Sequence, residues 1–124
     1  MNRVFIEKYG CTANLADSEI AAGLLKQAGF EISDLENSNI NIIFTCAVKD
    51  ATEKRMVHRI KELEKTGKPL IIAGCLPKSN KNLIEKIGRK ASLLGPDSIT
   101  SIVNVVKDTL EGKKYLYRML ERIR

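Results

Sequence analysis

Three cysteines, Cys11, Cys46 and Cys75, are the only thiols in the chain. Each closes an apolar run and precedes a segment with helix-start character: "YGCTAN", "FTCAVKD" and "AGCLPK". A thiolate can serve as a nucleophile, a redox centre or a soft metal ligand. An odd number does not complete a secreted disulfide framework. In a reducing compartment three readings remain: inert buried thiols, a redox pair with a spare, or metal ligands. Which one applies depends on whether the fold brings together residues separated by 35 and 29 positions.

The surrounding elements decide that. "RVFIEKY" reads as a first strand, and "NLADSEIAAGLLKQAG" as a helix whose apolar line is Ile20, Ala21, Leu24, Leu25 and Ala28. Asn14 is placed as its N-cap, Asp17 in its first turn and Gly29 just past its end. "FEIS" is a short second strand and "NINIIFT" a third. "DATEKRMVHRIKELEKTG" is a second helix, with Asp50 and Glu53 spaced as a capping box and Met56, Ile60 and Leu63 facing inward. "PLIIAG" is apolar throughout, as a strand buried on both faces should be. A short helix over "KSNKNLIEKIG", a fifth strand "ASLLG" and a last helix over "DSITSIVNVVKDTLEG" complete the chain. Ile99, Ile102, Val103, Val106 and Leu110 form the inward line of that last helix.

Strands separated by helices predict an α/β fold, a doubly wound three-layer sandwich around a five-stranded parallel sheet. The expected strand order is 2-1-3-4-5, with an abbreviated crossover through "DLENSN". Cys11, Cys46 and Cys75 then follow strands one, three and four, which are immediate neighbours, at the edge where open α/β sheets bind ligands. Neighbouring strands lie about 4.8 Å apart, so the three thiols would span roughly 10 Å before the loops draw them in. Helix N-termini at the same edge favour thiolate over thiol.

Three thiolates suit a soft metal or an iron–sulfur cluster, and three ligands leave one iron of a [4Fe–4S] cluster open. Zinc would require a fourth ligand, from water or from His58, the only histidine, which the periodicity puts on a helix surface. Inert packing of the thiols stands as the alternative at this point.

Composition restricts the rest. The chain has 124 residues, 44% apolar and 29% charged, which is one ordinary globular domain. No apolar run approaches the roughly 20 residues of a membrane span, and no signal peptide is visible, so a cytoplasmic location without membrane contact is expected. The formal net charge is +6. Most of it belongs to "KKYLYRMLERIR", residues 113–124, where five Lys/Arg stand against Glu121. That tail can attract nucleic acid or simply be a solvated helix start. No Ser/His/Asp arrangement and no phosphate-cradling glycine loop occurs.

The segments "YGCTANLADSE", "TCAVKDATEKR" and "LIIAGCLPK" resemble the three cysteine motifs of the methylthiotransferase N-terminal domain, over nearly the whole chain. "TCAVKDATE" is most similar to the archaeal and eukaryotic branch that methylthiolates threonylcarbamoyladenosine in tRNA; another branch modifies a ribosomal protein. The resemblance implies that Cys11, Cys46 and Cys75 ligate an auxiliary [4Fe–4S] cluster with one open iron. It further implies a radical-SAM domain carrying CxxxCxxC, a second [4Fe–4S] cluster and S-adenosylmethionine, with tRNA and a sulfur donor as partners.

This chain contains no CxxxCxxC and ends at Arg124. It is therefore expected to be a cluster-binding domain over residues 1–112, with 113–124 as a basic tail or linker start, inactive by itself. Asn14, Asp17, Thr45 and Lys49 are candidate cluster-loop or substrate contacts. Thr52, beside Lys49 at the helix entry, is a weaker one. The family commonly carries asparagine two residues before the second cysteine, whereas Phe44 stands there in this chain. The competing reading is a flavodoxin-like interaction domain with inert or disulfide-forming thiols. Two neighbouring apo thiolates are expected to oxidise to a disulfide in air.

Overall fold

The run that reads as a fully buried strand, "PLIIAG", and the third strand, "NINIIFT", lie side by side in the interior of the sheet. β3 (Ile40–Thr45) and β4 (Leu70–Gly74) are buried at every residue, as strands covered by helices on both faces must be. The computed structural model describes residues 2–9, 12–45, 51–74 and 91–112. The three cysteines, Lys49, Asp50, the helix expected over 78–88 and the tail 113–124 lie outside the described residues.

Among the described residues five strands form one all-parallel sheet in the order β2-β1-β3-β4-β5, the expected order. β1 is Arg3–Lys8, β2 Glu31–Ile32 and β5 Ser92–Leu94. α1 (Thr12–Gln27) joins β1 to β2, and α2 (Ala51–Lys65) joins β3 to β4. After β5 a 3-10 helix, Pro96–Ser101, leads into α3, Ile102–Leu110.

Side-chain alternation splits the core into two layers. Ile40, Ile42 and Phe44 of β3 point to the side covered by α1 and α3, together with Val4, Ala21, Leu25, Ile71, Ala73, Leu94, Ile102, Val105 and Val106. Ile43, Leu70, Ile72 and Leu93 point the other way, onto Met56, Ile60 and Leu63 of α2. The crossover from β2 to β3 is a turn on the α2 side, with Leu35 packed into that layer. The Asp34 carboxylate accepts from the Asn37 backbone N–H at 3.0 Å and from its amide at 2.8 Å. Lys68 Nζ donates to the Leu35 carbonyl at 2.5 Å. Seven residues, 33–39, thus replace a helix because side chains satisfy the turn's backbone.

Helix ends follow local chemistry. Gly29 has φ +96. The Phe30 N–H reaches the Leu25 carbonyl at 2.9 Å and the Gly29 N–H the Lys26 carbonyl at 3.1 Å. This is the glycine-dependent C-cap in which the residue after glycine packs back on the helix, and Phe30 joins the Leu25 layer.

Three expectations require correction. α1 starts at Thr12 and has no acidic residue in its first turn, so Asn14 lies inside the helix rather than at its cap, and Asp17 lies beyond the first turn. Ile20 is 47% exposed and Ala28 is exposed, while Ala21 and Leu25 are fully buried. The last helix is not continuous from Asp97. Pro96 starts a 3-10 segment with three residues per turn, which shifts the phase so that Val105 and Thr109 are buried where Val103 and Leu110 were expected. Val103 and Leu110 remain only partly buried against the same layer.

Candidate functional site

β1, β3 and β4 are consecutive in the sheet, and their registers put Lys8, Phe44 and Ala73 in one row. The next row pairs Thr45 with Gly74. Alongside it, the Tyr9 N–H donates to the Phe44 carbonyl at 2.9 Å. Counting along the chain from the row of Lys8, Phe44 and Ala73, Cys46 and Cys75 each come two residues later and Cys11 three. The described residues therefore form the shelf from which all three cysteine-bearing segments depart. α1 begins at Thr12, the residue after Cys11, and α2 at Ala51. Both helix N-termini face this edge, where their partial positive charge favours anionic groups.

The residues of the shelf differ in chemistry. Thr45 is fully buried, and its hydroxyl donates to the Ala73 carbonyl of β4 at 2.7 Å. Gly74 has φ +98, and a Cβ built on it would meet the Thr45 carbonyl oxygen and come within 2.9 Å of the Thr45 backbone nitrogen. Phe44 is 1% exposed and belongs to the layer under α1 and α3. The position where an asparagine was expected thus faces the core, on the opposite side of the sheet from α2. Asp17 is half-buried on α1, and Asn14 occupies the third position of that helix. Lys49 lies outside the described residues, and of Thr52 only its place on α2 is described.

One cluster escaped the sequence reading. Glu7, near the end of β1, accepts from Arg59 Nε at 2.9 Å through each carboxylate oxygen, and from Nη2 at 2.9 Å. Arg59 sits on α2, so the pair ties the helix that follows Cys46 to the strand that precedes Cys11. The hydrogen bond to Glu7 raises the already basic Arg59, keeping it a fixed cation. Burial, with the Glu7 carboxylate beside it, raises the Tyr9 phenol above its ordinary value, so Tyr9 stays neutral. The only sequence signal was parity: Glu7 shares the face of Phe5 and Tyr9.

His58 is a surface residue of α2, as expected. Its side chain is 76% exposed and lies 3.7 Å from Glu62 on the next turn of α2. Among the described residues no group of three or more His, Cys, Asp or Glu side chains is placed to hold a metal ion. The donor set that remains to be weighed is the three thiols. Their soft sulfur chemistry fits iron–sulfur ligation, and the row counts fit a single site.

Comparison with known proteins shows the family. Residues 3–95 match Uncharacterized protein family UPF0004. The chain belongs to that family. A Pyrococcus abyssi protein named "Probable threonylcarbamoyladenosine tRNA methylthiotransferase" is 44% identical over 117 residues, covering 94% of this chain and 27% of that protein. A Fervidobacterium nodosum protein named "tRNA-2-methylthio-N(6)-dimethylallyladenosine synthase" is 35% identical over 116 residues, covering 93% of this chain and 27% of its own length. These names bear out the resemblance to the methylthiotransferase N-terminal domain. This UPF0004 chain spans about a quarter of the length of the relatives it matches.

A Burkholderia pseudomallei protein described as pilus assembly-related has a similar structure. The TM-score is 0.62 at 14% identity, covering 91% of this chain and 92% of that one; this likeness concerns the fold alone. Among the described residues no helix is long and apolar enough to cross a membrane.

Proposed function

We propose that this chain is the cluster-holding part of a tRNA methylthiotransferase, with Cys11, Cys46 and Cys75 as the three ligands of a [4Fe–4S] cluster. The observation that supports it most is the register: three adjacent parallel strands end within one residue of each other in row count, and a cysteine follows each. When bound, such a cluster supplies an open iron site to carry the sulfur or methylthio group destined for the substrate. The chain's own part is positioning. It spreads three thiols over neighbouring strand ends, sets two helix N-termini behind them and leaves the remaining chemistry to other segments.

The threonylcarbamoyladenosine branch is the favoured substrate class, because identity is higher to a relative of that name than to the dimethylallyladenosine one. The second cluster, S-adenosylmethionine, the tRNA and the sulfur donor belong to the longer protein. The chain alone is inactive, and its place is the cytoplasm.

Anaerobic incubation with iron and sulfide tests the reading. The expected result is about four irons per chain and broad visible charge-transfer absorbance. Cys46→Ala abolishes stable uptake, and a variant that still loads four irons refutes the three-ligand assignment. A folded chain that takes up no iron favours the thiol-inert interaction domain instead.

A further inference from the structure

We infer that Thr45 and Gly74 act as a clamp that fixes the separation of Cys46 and Cys75, making them positioning residues for the site. The inference rests on the proposed role of the thiols for its purpose and on the described strand ends for its geometry.

Among the described residues four glycines have positive φ, and one of the four is also crowded. Gly29, Gly67 and Gly112 have nothing within 4 Å of an added Cβ; for them glycine answers a backbone angle alone. Gly74 has φ +98, and its Cβ would meet the oxygen, nitrogen and carbonyl carbon of Thr45. Those three are backbone atoms of the paired strand and cannot swing aside as a side-chain tip would. The absent side chain lets β3 and β4 approach at their last paired row.

Thr45 closes the same gap from the other strand. Its Oγ1 donates to the Ala73 carbonyl at 2.7 Å with both groups buried. Side chain and backbone thus stitch the two strands together one residue before Cys46 and Cys75. The hydrophobic layers do not require this approach. They are complete one row earlier, where Phe44, Ala73 and Leu94 are already buried. What the clamp governs is the departure of the two segments that carry thiols. β1 joins the shelf differently, through the Tyr9 N–H to the Phe44 carbonyl, with Cys11 two residues beyond Tyr9.

The test reads thiol geometry without metal. In a Cys11→Ser background of the whole 124-residue chain, Cys46 and Cys75 are equilibrated with glutathione. Glutathione disulfide takes two electrons from the two protein thiols, forming one protein disulfide and two glutathione thiols. The equilibrium ratio gives the effective concentration of the pair. Gly74→Ala and Thr45→Val should each lower it by about tenfold or more, because disulfide geometry tolerates little displacement. Thr45→Ser, which keeps the hydroxyl, should restore it. Gly29→Ala, strained but distant, should leave it unchanged.

Urea unfolding of each variant checks that the chain is folded. If Gly74→Ala does not fold, the Thr45→Val and Thr45→Ser pair decides. An unchanged ratio in a folded Gly74→Ala or in Thr45→Val overturns the clamp, as does a parent that forms no Cys46–Cys75 disulfide. If the chain with all three cysteines takes up no iron while the Cys11→Ser series shows the predicted ratios, the cluster reading is refuted and the clamp stands.

Discussion

Replacing Phe44 by asparagine, the residue expected from the family resemblance, tests whether position 44 belongs to the core or to the site. Phe44 is 1% exposed and shares its layer with Val4, Ala21, Ile42, Ala73 and Leu94. Removing a buried phenyl costs about 3–5 kcal/mol, cavity included. An amide without partners in that layer adds about 1–3 kcal/mol. The sum, about 4–7 kcal/mol after allowing for the volume asparagine refills, stands against a total stability on the order of 5–15 kcal/mol.

Urea unfolding of the reduced chain, followed by circular dichroism, measures it. With an m value of about 1.5–2 kcal/mol/M the midpoint should fall by about 2–5 M, so Phe44→Asn is largely unfolded without denaturant or nearly so. Phe44→Leu, which keeps the position apolar, should lose only about 1–1.5 kcal/mol. A Phe44→Asn chain within about 1 kcal/mol of the parent would refute the reasoning. It would mean that position 44 faces the strand-end loops, and that the alternation along β3 has been assigned to the wrong side.

Other substitutions probe the supports around the shelf. A double-mutant cycle of Arg59→Met and Glu7→Gln should give a coupling of about 1–2 kcal/mol, reduced from a fully buried bidentate pair because both side chains are about a quarter exposed; coupling near zero in urea titrations would mean the pair does not hold α2 to β1. Gly29→Ala meets open space but keeps φ +96, so it should cost about 1–2 kcal/mol through backbone strain alone and lower the melting temperature by several degrees. Ile20→Gln on the exposed side of α1 should stay within about 0.5 kcal/mol of the parent, whereas Leu25→Ala should cost about 2–5 kcal/mol; the reverse order in denaturant titrations would show that α1 is rotated about its axis.

The strand order was legible because the signals were redundant. β3 and β4 are apolar at nearly every position, Gly29 and Gly67 close their helices, and right-handed crossovers leave few ways to connect such elements. The phase of α1 was not legible for a physical reason. Leu15, Ala16, Ile20, Ala21, Ala22, Leu24 and Leu25 almost encircle that helix, and no polar face marks the outside. Ile20 and Leu15 are exposed only because the sheet reaches the other side. In α3 the burial of Thr109 depended on a partner 17 residues earlier: its hydroxyl lies 2.6 Å from that of Ser92 and donates to the Val105 carbonyl at 2.7 Å. A polar residue in the apolar line looks like an error until both halves of such a pair are in place.

At the candidate site the sequence named three thiols and the edge their strands share, but not the spacing of the strand ends. Three cysteines after three strands can be read from one dimension, since each strand announces its own end. Whether two of those ends approach closely cannot, because "AGC" looks the same whether Gly74 fills a crowded backbone contact or an empty turn. The distinction comes from φ +98 combined with contact to the Thr45 backbone, and neither property has a one-dimensional signature. Register adds a second asymmetry: Cys46 and Cys75 leave from equivalent rows, while Cys11 leaves one residue later and directly precedes α1. The three proposed donors are therefore not interchangeable in this fold. Two follow strand ends joined by the proposed clamp, and the third immediately precedes a helix.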